Sequence, residues 1–294
     1  MEGISIIIPV FNKFETTRRC IEHIREFNRA AAYEIIIVDN GSTDGTSNVI
    51  ARGEIPRLSL RGSQGEPKQS QDMLGTGSAI LVDEIASPSA RNDKKSKITC
   101  IRNDENFGVA KALNIGARAA KYDVLCFMHN DVFVHEKNWS VKIGDFIVKT
   151  PNVGIAGLYG AKTLRRDGSF RGRTIVHAKK EGPSINRPFE KVAVVDGLLM
   201  AMKRPVLEKI GGFREEFGVH YYDKDISMRA AGNGFSNYVL NVPFEHTCGT
   251  TRNQLKRDDA IRDGAQKRFI EIWKDALPAN INTWREKIGR LLQK

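Results

Sequence analysis

Polar and acidic side chains follow three apolar runs in the first half of the chain, and these side chains are the best suited to chemistry. Asn12 follows the first of these runs, Asp39 and Asn40 follow the second, and His129-Asn130-Asp131 follows the third. A carboxylate placed like that of Asp39 can accept a hydrogen bond from a nucleobase N–H or a ribose hydroxyl. The sequence therefore predicts a polar binding site, provided that the fold brings the three clusters together.

The elements that must position these clusters alternate between strands and helices. Apolar runs predict buried strands, and an apolar stripe or an alanine-rich run predicts the helices between them. The predicted strands are 4–9, 34–38, 98–102 and 124–128, and the predicted helices are 14–27 and 106–120. This order is typical of an α/β fold with a mostly parallel central sheet flanked by helices. Ligands bind such sheets at the carboxyl ends of the strands, where all three clusters fall.

The pattern after residue 150 is mixed. Residues 153–159, 192–202 and 238–242 are predicted strands, and residues 223–231 are a predicted helix. Pro205 is expected in the first turn of a further helix, where a missing N–H costs nothing.

The glycine pattern excludes two common phosphate-binding folds. A dinucleotide-binding fold needs a glycine-rich turn directly after the first strand, whereas residues 10–13 contain no glycine. The G-x-G at Gly75-Thr76-Gly77 lacks the third glycine, and the chain has no G-x-x-x-x-G-K-[ST] loop. A nicotinamide, flavin or P-loop nucleotide site is therefore not expected.

Three sequence motifs, together with the acidic strand end, resemble the family 2 glycosyltransferases of the GT-A fold. The motifs are Ile-Pro-Val-Phe-Asn at 8–12, Val-Asp-Asn-Gly-Ser-Thr-Asp-Gly-Thr at 38–46, and Asn-Phe-Gly-Val-Ala-Lys-Ala-Leu-Asn-Ile-Gly at 106–116. The resemblance covers about residues 4–250. It implies an enzyme that binds a nucleotide-sugar across the strand ends and bridges its diphosphate with Mn²⁺ or Mg²⁺.

The resemblance also implies which positions contact the nucleotide-sugar. They are Pro9, Phe11, Asn12, Asp39, Asn40, Ser42, Asn106, Gly108, Lys111, Asn130 and Asp131. Lys111 is the candidate phosphate contact among them, and the alternative is a solvated helix lysine. UDP is the favoured carrier nucleotide, with dTDP and GDP as the alternatives.

The metal site implied by the resemblance departs from the family's pattern. The acidic D-x-D motif falls on His129-Asn130-Asp131, in which only Asp131 is a carboxylate. Asp131 is the expected metal ligand, because one carboxylate together with diphosphate oxygens can hold a hard divalent ion. His246 matches a histidine that several relatives place near the metal, and the alternative is a structural role. His129 is expected to line the site rather than to bind the metal.

An acidic motif at the start of the predicted helix 223–231 resembles the family's acceptor-side motif. Asp223 falls on the catalytic base, and Tyr222 replaces the common glutamate before it. Asp225 would point about 200° away on a helix and is expected to pair with Arg229. The candidate acceptor or sugar pocket consists of Asp196, Gly197 and Tyr222. The implied reaction is direct displacement at the anomeric carbon with inversion.

The predicted function is therefore metal-assisted transfer of a sugar from a nucleoside-diphosphate sugar to a hydroxyl of a glycan, lipid-linked or protein acceptor, as in polysaccharide biosynthesis. The alternative is a catalytically inactive nucleotide-sugar-binding or scaffold protein of the same fold, because Tyr222 and the incomplete acidic motif both depart from the pattern. Nucleic acid is not an expected partner. The distinctive sites are acidic, and no nucleic-acid motif interleaves aromatic and basic residues.

Composition divides the chain into a catalytic domain at 1–252 and a basic helical tail at 253–294. Residues 53–97 are expected to be a flexible surface insertion, and the alternative is a lid over the site. The net charge is +11, and residues 252–294 hold eleven Lys or Arg against six Asp or Glu. An amphipathic helix in the tail is predicted from an apolar stripe through Ile281, Trp284, Ile288, Leu291 and Leu292. Such a helix can contact an anionic membrane, and the alternative is docking on the body or in a homodimer.

Cellular location is predicted from what the sequence lacks. No apolar run approaches the roughly 18 residues of a membrane helix, and the N-terminus lacks the basic segment of a signal peptide. The four cysteines are far apart and contain no C-x-x-C pair, which fits reduced thiols. We therefore expect a cytoplasmic protein, with peripheral contact at the inner face of the membrane as a further expectation.

Overall fold

An eight-stranded sheet forms the centre of the computed structural model, which describes residues 2–29, 32–46, 97–175, 187–247 and 258–281. In spatial order its strands are β3 (Lys97–Arg102), β2 (Tyr33–Asp39), β1 (Ile4–Val10), β4 (Val124–Met128), β11 (Leu199–Lys203), β6 (Val153–Gly157), β12 (Ser236–Leu240) and β9 (Phe189–Val192). The first four strands are mutually parallel, and β12 is parallel to β6. Strands β11 and β9 run antiparallel to their neighbours. The predicted mostly parallel α/β sheet is confirmed.

Two smaller sheets flank the large one. One contains β10 (Val194–Val195), β7 (Tyr159–Leu164) and β8 (Phe170–Ile175), and the other pairs β13 (Phe244–His246) with β5 (Val132–Val134). The described helices are α1 (Phe14–Phe27), α2 (Gly108–Ala119), α3 (Trp139–Lys149), α4 (Arg204–Lys209), α5 (Tyr222–Gly232) and α6 (Asp258–Trp273). None of the helices in the described ranges is both long and apolar enough to cross a membrane.

Helices cover both faces of the large sheet, which explains its continuous apolar strands. Every residue of β1 and β2 is buried. Alternate residues of β1 enter opposite cores, with Ile6 and Ile8 on the side of α1 and α3 and Ile7 on the side of α2, α4 and α5. Trp139, which is fully buried, packs α3 against the sheet.

The predicted single strand at 192–202 is wrong. The chain leaves the large sheet after Val192, pairs with β7 through β10, turns at Asp196-Gly197-Leu198, and returns as β11. The Asp196 carboxylate makes this turn by accepting a hydrogen bond from the Leu198 N–H at 3.0 Å. The predicted strand at 153–159 is likewise divided, between β6 and β7, and the strand predicted at 238–242 begins at Ser236.

The predicted insertion and tail fall largely outside the described residues. Of the insertion, only Lys97 is described, and it is the first residue of β3. Of the tail, residues 258–281 are described, and they contain α6. Of the amphipathic stripe predicted at 281–292, only Ile281 is described.

Candidate active site

Three candidate metal ligands meet beside the carboxyl end of β4. His129 and Asp131 follow this strand, and His246 ends β13. Each offers a ligand atom, and the three atoms lie within 4.8 Å of one another. His246 Nε2 is 3.2 Å from Asp131 Oδ1. The pairing of β13 with β5 produces this approach, because it places His246 opposite Val132.

Hydrogen bonds hold His129 and its neighbour Asn130 in place. The His129 N–H donates to the Leu198 carbonyl at 3.0 Å, so β11 supports the strand end. The Asn130 amide donates to Thr17 Oγ1 on α1 at 2.9 Å, and Asn130 is buried. The structure therefore places the Asn130 side chain beneath the cluster as a support, and its predicted contact with the nucleotide-sugar stays a prediction.

The first two predicted clusters meet at the carboxyl ends of β1 and β2. Asp39 is fully buried, and its Oδ1 accepts a hydrogen bond from the Ser42 N–H at 2.9 Å. The Ser42 hydroxyl accepts from the Asn12 N–H at 2.7 Å, and Asn12 Oδ1 accepts from the Thr43 N–H at 2.7 Å. Pro9 lies in β1. Phe11 is half-buried and is the first residue after this strand. These hydrogen bonds connect the loop after β1 to the loop after β2.

Arg102 is a site residue that the sequence did not reveal. Its guanidinium donates to Asp39 Oδ2 at 2.8 Å and to the Ser42 carbonyl at 3.0 Å, while its side chain is 44% exposed. It therefore brings a positive charge to the surface of the predicted nucleotide pocket. Its position at the end of β3, beside Asp39 in the sheet register, is the signal that could have identified it.

The start of α2 closes the same edge of the sheet. The Asn40 amide donates to the Gly108 carbonyl at 3.1 Å, and Asn106 Oδ1 accepts from the Gly108 N–H at 3.0 Å. Gly108 has φ of +80°, and an added Cβ would lie 3.0 Å from the Gly218 Cα, so only glycine suits this position. The Lys111 ammonium lies 3.8 Å from the centroid of the Phe107 ring. Lys111, the candidate phosphate contact, therefore has its ammonium group over an aromatic ring.

The candidate base, Asp223, is the second residue of α5. Its Oδ2 accepts from the Gly197 N–H at 3.1 Å, and its Oδ1 accepts from its neighbour's N–H, that of Lys224, at 2.9 Å. The two backbone donors fix the orientation of the carboxylate, which lies at the end of the helix where the backbone N–H groups point outward. Asp223 is half-buried, and it therefore combines a fixed orientation with access to a bound molecule.

The predicted acceptor or sugar pocket surrounds this carboxylate. Gly197 must lack a Cβ, because an added one would lie 2.7 Å from Tyr222 Cζ and would overlap the hydroxyl. Asp196 is half-buried in the turn that precedes Gly197. Burial lowers the pKa of Lys224, against the opposing influence of Asp223 and Asp196. The structure thus brings Asp196, Gly197, Tyr222 and Asp223 together.

Asp225 has a structural environment, as its spacing from Arg229 predicts. It is fully buried and accepts hydrogen bonds from Arg214 Nη1 at 3.0 Å, Arg229 Nε at 2.8 Å and Trp273 Nε1 at 3.0 Å. These contacts connect α5 to α6. The two aspartates of this helix therefore differ, since Asp223 faces the site and Asp225 faces the core.

The metal cluster and the candidate base are connected through Tyr222. The Tyr222 hydroxyl lies 2.9 Å from His129 Nε2, and Tyr222 directly precedes Asp223. The structure consequently places side chains that could hold a cation and a carboxylate on neighbouring parts of one site. Such an arrangement can hold a charged leaving group near the first and accept a proton at the second.

Family comparisons cover most of the chain. A family described as "Glycosyltransferase like family" matches residues 81–273, and one described as "Glycosyl transferase family 2" matches residues 5–58. An uncharacterized glycosyltransferase from Haemophilus influenzae is 27% identical over 188 residues, which are 61% of either chain. Glycosyltransferase AglE from Haloferax volcanii is 38% identical over 47 residues, which are 16% of either chain.

Three solved structures illustrate the similarity in fold. The mannosyltransferase PcManGT from Pyrobaculum calidifontis, in complex with GDP-Man and Mn²⁺, has a TM-score of 0.53 at 17% identity, covering 84% of this chain and 57% of its own. GalNAc-T7 with UDP, GalNAc and Mn²⁺ has a TM-score of 0.55 at 13% identity, with coverages of 93% and 49%. Residues 1–349 of Staphylococcus aureus TarS have a TM-score of 0.52 at 13% identity, covering 83% of this chain and 60% of that one.

The chain spans 61% of the Haemophilus relative and between 49% and 60% of the three structures. The structural likeness shows the fold, and the family match extends over more than half of the chain. Sequence motifs, family match and fold agree. The chain belongs to the family 2 glycosyltransferases and has a GT-A fold.

Proposed function

We propose that this glycosyltransferase moves a sugar from a nucleoside-diphosphate sugar to an acceptor hydroxyl, with inversion and with the help of a divalent cation. The observation that carries this proposal is the convergence of His129, Asp131 and His246 at the strand ends, with ligand atoms within 4.8 Å of one another. The two matched structures that contain Mn²⁺, one with GDP-Man and one with UDP, support the same reading.

The donor set fits a divalent cation. Asp131 supplies a carboxylate and is 6% exposed, so its charge is held away from bulk water beside two imidazoles. Mg²⁺ strongly prefers oxygen ligands, whereas Mn²⁺ also accepts imidazole nitrogen. We therefore propose Mn²⁺ as the first ion to test, with Mg²⁺ as its competitor. His129, which we expected only to line the site, joins the proposed ligand set.

The bound cation would neutralise negative charge that develops on the departing diphosphate. The chain's own residues bind and orient the reactants. Asn12, Asp39 and Ser42 already form one hydrogen-bonded network, and we propose that its exposed edge holds the nucleoside. Arg102 anchors Asp39 within that network and adds a positive charge.

Asp223 is the proposed general base. Its carboxylate is oriented by the Gly197 N–H and lies in the first turn of α5. As the acceptor oxygen bonds to the anomeric carbon, Asp223 takes the hydroxyl proton. The bond between the anomeric carbon and the diphosphate oxygen breaks, and its electron pair leaves with the nucleoside diphosphate. One such displacement inverts the configuration at the anomeric carbon.

We propose UDP as the first carrier to test, then GDP and dTDP. The acceptor is proposed to be a glycan or a lipid-linked or protein hydroxyl, as in polysaccharide biosynthesis at the cytoplasmic side. Peripheral membrane contact or dimerisation through the 253–294 tail belongs to the same proposal.

Thermal denaturation with UDP, GDP and dTDP, each with and without Mn²⁺, tests donor binding. A ligand at 100 times its Kd adds about 2.7 kcal/mol of stability, so the correct nucleotide gives a distinct shift. We expect the shift to require Mn²⁺ and to be lost in Asp131→Asn. The matched control is Asp145→Asn, which changes an exposed aspartate on α3.

Turnover separates an enzyme from an inactive binding protein. With UDP-, GDP- and dTDP-sugars, we expect nucleoside diphosphate release that falls roughly 10²–10⁴-fold in Asp223→Asn, while the nucleotide-induced thermal shift persists. Proton NMR of the product should show an inverted anomeric configuration. Nucleotide binding without turnover in the wild type would establish the scaffold alternative, and retained configuration would refute the single displacement.

A further inference from the structure

Tyr222 occupies a buried position between the proposed cation site and the proposed base. It is 4% exposed, and its hydroxyl lies 2.9 Å from His129 Nε2. The two residues are 93 positions apart in sequence, so the contact joins the end of β4 to the start of α5. A buried phenol at hydrogen-bonding distance from one imidazole nitrogen influences the tautomer and the orientation of that ring.

Two neighbours restrict the tyrosine ring. It packs so closely on Gly197 that this position has no room for a Cβ. Phe213 meets the ring edge-on, with centroids 6.0 Å apart. Its backbone opens α5, whose next residue, Asp223, is tied to Gly197. Packing therefore fixes the position of the Tyr222 hydroxyl beside His129.

The two nitrogens of a ligating imidazole have separate tasks, since one binds the ion and the other donates its N–H to a neighbouring acceptor. With Nε2 at hydrogen-bonding distance from the Tyr222 oxygen, Nδ1 is the nitrogen that would face a cation. In that state Nε2–H donates to the phenol oxygen. This bond selects the tautomer and the ring orientation that ligation requires.

We infer that Tyr222 is a positioning residue that orients His129 for cation binding and joins the cation site to the helix bearing Asp223. This inference rests on the cation site proposed above. It also gives a role to the residue at which this chain departs from its family's acidic motif. A glutamate there would add negative charge, whereas the phenol orients a neutral imidazole.

Mn²⁺ affinity, measured by electron paramagnetic resonance on the full chain without any nucleotide-sugar, tests the inference. Tyr222→Phe keeps the ring and its packing but removes the hydroxyl. We expect it to weaken Mn²⁺ binding about 10- to 100-fold, the usual effect of removing a partner of a ligating histidine. Tyr221→Phe is the matched control, because this neighbouring ring contacts Phe269 and Lys224 instead, and we expect unchanged affinity.

A double-mutant cycle assigns the effect to His129. In a His129→Ala background, adding Tyr222→Phe should change Mn²⁺ affinity less than about twofold, whereas in a His246→Ala background the full loss should persist. Melting temperatures without Mn²⁺ identify any variant that fails to fold.

The outcomes distinguish the inference from the proposal beneath it. Wild-type Mn²⁺ affinity retained in Tyr222→Phe overturns the inference and leaves the cation site intact. An equal loss in the His129→Ala background overturns it as well, because the hydroxyl would then act through another group. Absence of Mn²⁺ binding by the wild type overturns the cation site itself.

Discussion

Replacing Asp225 with asparagine should destabilise the fold while leaving the site's own groups in place. Asp225 is fully buried, and its carboxylate accepts hydrogen bonds from two guanidinium groups and one indole. Asparagine preserves the volume and one acceptor oxygen but removes the negative charge. The substitution therefore removes the charge and also replaces one acceptor oxygen with an NH₂ group, which cannot accept from the N–H donors around it.

The magnitude follows from the burial of the partners. The Arg229 side chain is 10% exposed, so its charge would remain buried without its counter-ion, whereas the Arg214 side chain is 38% exposed and can be hydrated. Removing one partner of a buried pair costs about 3–5 kcal/mol. Because asparagine retains one acceptor, we expect a loss at the lower end, about 3 kcal/mol. At about 2–4 °C per kcal/mol this lowers Tm by about 6–12 °C.

Urea denaturation and thermal melting of Asp225→Asn and the wild type measure this loss. Asp145→Asn is the matched control, because Asp145 pairs with Lys149 at the same i,i+4 spacing but on an exposed helix surface. That pair should contribute less than about 1 kcal/mol. If Asp225→Asn were no less stable than Asp145→Asn, the reasoning from burial would be refuted.

Two further predictions concern α1 and α2. Burial lowers the pKa of His23, so folding favours its neutral form. The resulting stability is present above the ordinary histidine pKa of about 6.5, and it is lost as the pH falls. Between pH 7.5 and 5.5, Tm should therefore fall further in the wild type than in His23→Phe, and equal slopes would contradict this. Gly116→Ala should cost roughly 1–3 kcal/mol in urea denaturation because its Cβ would overlap Ile7, whereas Gly264→Ala, in open space on α6, should be neutral or stabilising. Equal stability of these two variants would refute the packing argument.

The sequence predicted the sheet well because strands buried on both faces have a distinctive composition. The continuous apolar run at 4–9 is typical of a strand buried on both faces, and β1 is buried throughout. The pairing of Asp225 with Arg229 was equally predictable, since helix geometry alone fixes contacts four residues apart. Local periodicity is sufficient for features of this kind.

Features that depend on long-range topology were not predictable in the same way. The run at 192–202 is apolar in both sheets that it joins, so composition does not mark the exchange of sheets. The contact of His129 with Tyr222 and the approach of Arg102 to Asp39 each join residues more than 60 positions apart. No spacing rule covers such pairs, and His129 was consequently expected only to line the site.

The central claim is that a cation held by His129, Asp131 and His246 assists glycosyl transfer. Its most direct test is nucleoside diphosphate release from UDP-, GDP- and dTDP-sugars, titrated with Mn²⁺ after treatment with EDTA, for the wild type and Asp131→Asn. We predict that release by the wild type is abolished by EDTA and restored by Mn²⁺, and that Asp131→Asn loses roughly 10²-fold or more at any Mn²⁺ concentration. Turnover that persists in EDTA and is unchanged in Asp131→Asn would contradict the account.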